Sequence, residues 1–235
     1  MQKKTKKTVL ITGAASGFGS YLARAFAGEG FDIVINGRNE DNRLITLNNE
    51  LSLIKGVKCS TIAADIRDNN GLKMLKDILQ ECKVDILINN SGINPELSSG
   101  GITTKIEDIN NILLTNTSAI IALCNSAFEH FITRGGGIII NINSVAGLNG
   151  SSHEAVYAAS KFGLRGFSES VKDVWLKKGV RIIDIYPGAI ATGMSSNRLD
   201  MNSLINPQEL ANFLVQICMT NSFFVREASI QRTKI

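Results

Sequence analysis

The stretch TVLITGAASGFG, residues 8–19, runs from a β-branched apolar segment into a loop with glycines at Gly13, Gly17 and Gly19, and then into an amphipathic segment. TVLITG (8–13) reads as a buried strand and FGSYLARAFAGEG (18–30) as the helix after it. Glycines at this GxxxGxG spacing have distinct uses. Gly13 permits the tight turn, Gly17 lets backbone approach a ligand, and Gly19 lets helix and strand pack closely. The helix N-terminus behind the loop presents free N–H groups and a partial positive charge, which suit a phosphate. The loop therefore reads as a dinucleotide site, with Gly13, Ser16, Gly17, Phe18 and Gly19 as candidate contacts. Glycine-rich turns also arise for packing alone, so the surrounding chain has to decide.

Outward from the loop, short apolar runs alternate with amphipathic ones. FDIVING (31–37), VKCSTIAAD (57–65), VDILINNSG (84–92), GGIIININS (136–144) and GVRIIDIYPG (179–188) read as further strands, with a last short one near 228–232. Helices are expected at about 40–54, 69–81, 105–133, 154–177 and 207–219. Continuous apolar strands bounded by glycine and separated by helices indicate a parallel sheet covered on both faces. No linker, repeat or composition break divides the chain, so residues 8–235 are expected to form one doubly wound domain. The irregular stretches 93–104 and 188–206 each begin at a strand's C-terminal end, where open α/β sheets bind ligands. The second is read as a substrate lid.

Composition narrows the function classes. The chain has 235 residues, 44% of them hydrophobic, which is enough to bury a full core. Part of the net charge of +4 sits in MQKKTKK (1–7), a basic tail read as flexible and solvated. No aromatic residues interleave with its lysines, so nucleic acid and membrane surfaces are not expected partners. No apolar run reaches the length of a membrane span, and a signal peptide at the N-terminus is rejected because cleavage would remove the glycine loop's own strand. Cys59, Cys82, Cys124 and Cys218 form no CxxC pair and fit neither a zinc site nor a disulfide framework, which points to reduced thiols in the cytoplasm. With only His130 and His153 available, no histidine-rich metal site is expected.

The second strand ends in INGR. Where dinucleotide folds place an acidic residue for the ribose 2′-hydroxyl, this chain has Gly37, followed by Arg38. A carboxylate there repels a 2′-phosphate, whereas a guanidinium fork pairs with it. The reading is NADP(H) over NAD(H). The competing reading is that Arg38 is a solvated loop cation and Asp41 turns inward.

Together with NNSG (89–92), INS (142–144), YAASK (157–161) and YPGAIATGM (186–194), these motifs resemble the short-chain dehydrogenase/reductase family over about residues 8–219. The resemblance implies a single Rossmann-like domain with a mostly parallel seven-stranded sheet in the order 3-2-1-4-5-6-7. It implies hydride transfer between a nicotinamide and a carbonyl or secondary alcohol. It assigns the catalytic roles to Asn116, Ser144, Tyr157 and Lys161. It places Asp65 and Ile66 at the adenine, Asn90 and Gly92 at the cofactor ribose, and Pro187, Gly188, Ile190 and Thr192 at the nicotinamide carboxamide. It also implies a homodimer or homotetramer. Ser91 stands where the family has Ala, and the C-terminal FFVREASIQRTKI lacks the family's Asp-Gly-Gly segment, which bears on a tetramer more than on the chemistry.

The residue chemistry is consistent with those roles. Negative charge develops on a carbonyl oxygen as hydride arrives, and a proton must follow. A free Tyr hydroxyl titrates near ~10, and a nearby ammonium stabilises its phenolate. Tyr157 and Lys161 are four residues apart on an expected helix and share a face. Lys161 is thus expected to lower the Tyr157 pKa and to hold the ribose. Ser144, at a strand end, is placed to stabilise the substrate oxygen, and Asn116 is read as part of the proton relay. His153 is read as a solvated loop residue, and Trp175 as core or interface. Two other readings remain open: an NAD-dependent alcohol dehydrogenase, and a non-catalytic NADP-binding sensor or scaffold.

Overall fold

Seven strands form one parallel sheet in the order β3-β2-β1-β4-β5-β6-β7. They are β1 (Thr8–Ile11), β2 (Asp32–Gly37), β3 (Cys59–Ala63), β4 (Ile86–Asn89), β5 (Gly137–Ile142), β6 (Val180–Pro187) and β7 (Glu227–Ile230). The computed structural model describes residues 6–96, 105–195, 203–220 and 222–233. The helices are α1 (Gly17–Gly28), α2 (Asn42–Ser52), α3 (Asn69–Glu81), α4 (Ile106–Thr133), α5 (Ala155–Leu176) and α6 (Pro207–Met219). Order and direction match the sequence expectation. The strand order reverses between β1 and β4, which opens a crevice at their C-terminal ends.

The period of two in each strand sorts side chains onto two cores. Val9, Ile11, Ile33, Ile35, Ile86 and Ile88 face α1, α2 and α6, where Leu22, Phe26, Leu44 and Leu214 are buried. Leu10, Val34, Leu87, Ile139 and Ile182 face α3, α4 and α5, meeting Leu75, Leu123 and Leu164. Each of these large side chains contributes about 1.5–3 kcal/mol through burial. Trp175 lies in the second core, stacked on Phe128 with ring centroids 4.4 Å apart.

Three helix starts follow local capping chemistry, whereas α1, α4 and α5 begin without a side-chain cap from the N-cap residue. Asp41 Oδ1 accepts from the N–H groups of Arg43 and Leu44, both at 3.1 Å, Asp68 caps α3, and Asn206 caps α6 ahead of Pro207. Ser16, at the N-cap of α1, makes no side-chain cap, and the first turn of α1 carries no acidic residue. Its leading N–H groups are left open toward the crevice.

The region read as one regular helix over 105–133 is interrupted. It is α-helical over Ile106–Leu113, a π turn over Leu114–Ser118, and α-helical again over Ala119–Thr133. The wider turn changes the angular position of the residues inside it, and Asn116 is one of them. By length and composition, Ile106–Thr133 also meets the criterion for a membrane span, but Leu123, Cys124, Ala127 and Phe131 lie in the second core. The last strand begins at Glu227, slightly ahead of its expected place. Residues 97–104 and 196–202, which include Leu199 and Met201 of the expected lid, and residues 1–5 of the tail lie outside the described residues.

Candidate active site

The glycine loop is held by the end of β4. Thr12 Oγ1 accepts from the backbone N–H groups of Asn90 and Ser91 at 3.0 and 3.1 Å, while Asn90 Nδ2 donates to the carbonyls of Thr12 and Gly13 at 3.0 and 3.2 Å. Gly13 and Gly17 have φ of 63° and 56°, a region that L side chains rarely occupy. A Cβ on Gly19 would stand 2.4 Å from the Gly13 carbonyl oxygen. Gly19 therefore serves the packing of loop against helix and does not line the cleft, whereas Gly13, Ser16, Gly17 and Phe18 do.

Beyond the loop, Asn36 near the end of β2 is buried, and its Nδ2 donates to the carbonyls of Ile62 and Ala64 at 3.1 and 3.0 Å. This ties β2 to β3 just below Arg38, which is exposed at the rim. Asp41, partly buried, also lines the cleft. It caps α2 and binds the Arg43 guanidinium at 2.6 Å. Asp65 forms a bidentate pair with Arg67, its Oδ1 accepting from Nε at 3.0 Å and its Oδ2 from Nη2 at 2.6 Å, and is held below the usual carboxylate range chiefly by that hydrogen bonding, with Arg38 adding a smaller effect. Arg43 and Arg67 thus join Arg38 on the cleft wall, a grouping not read from the sequence. They stand 5 and 29 residues downstream of Arg38, so the only available signal was that both follow an Asp by two positions.

At the other end, Ser144 follows β5 as the N-cap of a short 3-10 turn, and its Oγ accepts from Ala146 N–H at 3.1 Å. Tyr157 and Lys161 lie on the first turns of α5, with Lys161 Nζ 5.7 Å from the Tyr157 ring centroid. Lys161 Nζ donates to the Ile142 carbonyl at 2.9 Å, which orients the ammonium toward the end of β5. Asn116 is fully buried in the π turn. Its Oδ1 accepts from Ile93 N–H at 2.9 Å, and its Nδ2 donates to the Ile93 carbonyl and to Ser160 Oγ at 2.8 and 3.1 Å. Gly92 separates it from Lys161: a Cβ there would lie 3.4 Å from Asn116 Oδ1 and 3.9 Å from Lys161 Nζ. Two supporting residues were not read from the sequence. Glu96, fully buried, accepts the Tyr157 N–H at 2.9 Å, and Ser160, inside the quoted YAASK, links Asn116 to α5.

Both ends open onto one cleft of about 900 Å³. Ser144, Tyr157 and Lys161 line it, as do Arg38, Asp65, Ile66, Asn90 and Gly92. So do Pro187 at the end of β6 and Gly188, Ile190 and Thr192 after it, joined by Gln231 and Arg232 from the C-terminal segment. Asn116 lies behind the wall, and exposed His153 does not reach the cleft.

A family model described as short chain dehydrogenase matches residues 7–203. The chain belongs to the short-chain dehydrogenase family. It is an oxidoreductase acting on CH–OH and C=O groups with a nicotinamide cofactor. It is 33% identical over 223 residues to the ketoacyl reductase HetN of Nostoc sp., covering 92% of this chain and 76% of the relative. It is 31% identical over 195 residues to 3beta-hydroxysteroid dehydrogenase 1 of Eggerthella lenta, covering 82% of this chain and 74% of that one. Among solved structures, a short-chain dehydrogenase from Sphingobium yanoikuyae in complex with NADPH superposes with a TM-score of 0.82 at 28% identity, covering 96% of this chain and 87% of that one.

The residues present fit such a cofactor. The uncapped N-terminus of α1 offers N–H groups to a pyrophosphate, and Gly17 leaves the approach open, with only Thr192 Cβ within 4.0 Å of where its own Cβ would stand. In the short-chain dehydrogenase site burial dominates the electrostatics. It pushes Tyr157 up to about 12, against the pull of a hydrogen bond with Ser144 and with a small push from Glu154. It lowers Lys161 to about 8, partly offset by the charge of Asp184. The Tyr157 shift therefore runs upward, set by desolvation of the phenolate, against the expectation that Lys161 lowers it. At neutral pH the phenol holds its proton and the neighbouring ammonium is largely charged.

Proposed function

We propose that this chain is an NADP(H)-dependent carbonyl reductase that also oxidises secondary alcohols. The observation that carries the reading is the cluster of Ser144, Tyr157 and Lys161 at one end of a cleft whose other end presents Arg38 next to Gly37. Bound NADPH supplies the hydride. Tyr157, protonated at neutral pH, donates its proton to the carbonyl oxygen, and Ser144 steadies the same oxygen by a hydrogen bond. The Lys161 ammonium stabilises the phenolate that results, and its donors not used on Ile142 are available to the ribose hydroxyls. Asn116 positions Ile93 and Ser160 and belongs to the route by which a proton returns toward Lys161.

Arg38 supports NADP(H) over NAD(H): it engages no hydrogen bond or ion pair among the described residues and is positioned to meet a 2′-phosphate, with Arg43 and Arg67 adding positive potential. The described residues 188–195, which border the cleft, are the substrate side of the catalytic domain. Exposed Ile106, Leu114, Phe162 and Val174 on α4 and α5 support assembly as a homodimer or homotetramer. Four free thiols suit a cytoplasmic setting. Fluorescence titration with NADPH and NADH, followed by turnover on a carbonyl panel, tests the reading. Tighter binding of NADPH and reduction of at least one ketone are expected; equal or tighter NADH binding refutes the cofactor assignment, and no turnover refutes the enzyme.

A further inference from the structure

The first turn of α5 is capped by a side chain from elsewhere in the chain. Ala158 N–H donates to the Glu154 carbonyl at 2.8 Å, and Tyr157 N–H, one residue earlier, has no carbonyl within the helix to reach. The N-cap residue, Glu154, supplies no side-chain cap. Its carboxylate accepts instead from Asn94 Nδ2 and, at 3.3 Å, from Ser151 Oγ. Tyr157 N–H donates to Glu96 Oε2 at 2.9 Å, across 61 positions of sequence. The capped donor thus belongs to the residue whose phenol serves as the acid.

Glu96 is 0% exposed and does not line the cleft, whereas Ile93 and Asn94, just ahead of it, do. The π turn clamps this segment from its other side. Asn116 bonds both backbone groups of Ile93, accepting from the N–H at 2.9 Å and donating to the carbonyl at 2.8 Å. Residues 93–96 therefore run between the π turn and α5, joined to α5 at both Glu154 and Tyr157. A buried carboxylate is costly unless its hydrogen bonds are made. A Ser or Asp in place of Glu154 would cap the helix without that cost. A local cap, however, does not fix the start of the helix relative to the π turn and the cleft wall. A cap carried by residues 93–96 does.

We propose that Glu96 is a positioning residue: by holding the Tyr157 N–H against a segment anchored on Asn116, it fixes the backbone from which the Tyr157 phenol reaches the substrate oxygen beside Ser144. This rests on the acid role of Tyr157 given above. The phenol leaves the backbone at the capped residue itself, so a shift of the first turn carries the hydroxyl with it. A displacement of about 1 Å between reacting groups can cost about 10²-fold in rate. The carboxylate also stands at the positive end of the α5 dipole, which strengthens its hold on the N–H. The glycine loop and Arg38, where the cofactor's phosphates are read, take part in none of these hydrogen bonds. Loss of the cap should therefore change chemistry and spare cofactor affinity.

The test compares kcat on a reducible ketone, counted per NADPH-binding site, with the Kd for NADPH in Glu96→Ala and Glu96→Gln. Glu96→Ala frees the Tyr157 N–H and should lower kcat by about 10–100-fold while NADPH affinity stays within about threefold. Glu96→Gln keeps an oxygen that accepts the same N–H and should return kcat to within about threefold of wild type. A wild-type kcat in Glu96→Ala refutes the proposal. So does a parallel loss of kcat and NADPH affinity, which marks a purely structural role, and so does a Glu96→Gln enzyme no faster than Glu96→Ala. If Glu96→Ala does not fold, Glu96→Asp decides: it keeps the charge, draws the carboxylate back by one methylene, and should lower kcat by about tenfold, whereas an unchanged kcat refutes the proposal. Tyr157→Phe separates the two readings. Full turnover in that variant overturns the acid role and this proposal with it, whereas an inactive Tyr157→Phe beside a fully active Glu96→Ala overturns the role of Glu96 alone.

Discussion

Arg38 stands exposed at one end of the cleft, whereas Lys161 at the other end is 3% exposed. Both are cations assigned to the same cofactor, yet they sit in opposite surroundings. At the Arg38 end the charges are in water: Asp41 with Arg43 and Asp65 with Arg67 are surface pairs whose strength salt reduces. At the Lys161 end, burial moves Tyr157 and Lys161 from their ordinary values and hydrogen bonds fix the supporting groups. The contrast separates two tasks. Recognising a phosphate needs charge that can be offered cheaply. Moving a proton needs groups whose pKa values and positions are set by a water-poor environment. Substitutions at the first end should change affinity, and those at the second should change chemistry or stability.

The largest effect tests the buried end. Tyr157→Phe should lower turnover by about 10²–10⁴-fold while leaving NADPH affinity within roughly threefold, read by steady-state kinetics and fluorescence titration. Full activity in this variant would refute the acid role. Next comes the loop between the ends. Gly19→Ala places a Cβ where the Gly13 carbonyl stands 2.4 Å away, and overpacking of this kind costs about 1–3 kcal/mol, visible as a lower Tm together with weaker NADPH binding. At the exposed end, Arg38→Ser should weaken NADPH by about 10–100-fold at low salt and leave NADH and the Tm unchanged. A loss of NADH binding to the same degree would show that Arg38 does not read the 2′-phosphate.

A smaller effect comes from linkage. The folded carboxyl of Asp184 lies at about 7, above its ordinary value of 3.8. A raised acid binds more protons folded than unfolded between those values, so the stability it contributes is present below the unfolded value and lost as pH rises through about 7. Asp184→Asn lacks that loss. Its Tm relative to wild type should therefore rise between about pH 5 and about pH 8. A constant difference would mean that Asp184 does not titrate in that range. The smallest effect is expected at His153, exposed and away from the cleft: His153→Ala should leave kcat/KM within about twofold, in line with a surface substitution.

Most of the fold was legible because its signals are local. Apolar runs between glycines marked the strands, and α3 and α6 begin and end where periodicity placed them, since Asp68 and Asn206–Pro207 are capping signals in their own right. The site was legible where a motif is contiguous, as in the glycine loop and YAASK. It was not legible where partners meet across the sheet. The π turn that carries Asn116 inward leaves no mark in LLTNTS, because one extra residue in a turn does not change composition. Glu96 falls in the irregular stretch 93–104, and only the folded chain brings it to the Tyr157 N–H.

Taken alone, the sequence determined the alternation of strand and helix, the phosphate-suited loop and the candidates for the reacting groups, since periodicity, backbone freedom and functional-group chemistry belong to short segments. Tertiary structure alone decided the sign of the Tyr157 shift, the alignment of Asn89, Asn141 and Asp184 across three strands, and the gathering of three arginines at one rim. Those depend on desolvation and on register between strands about 50 residues apart, and both exist only once the chain has closed on itself.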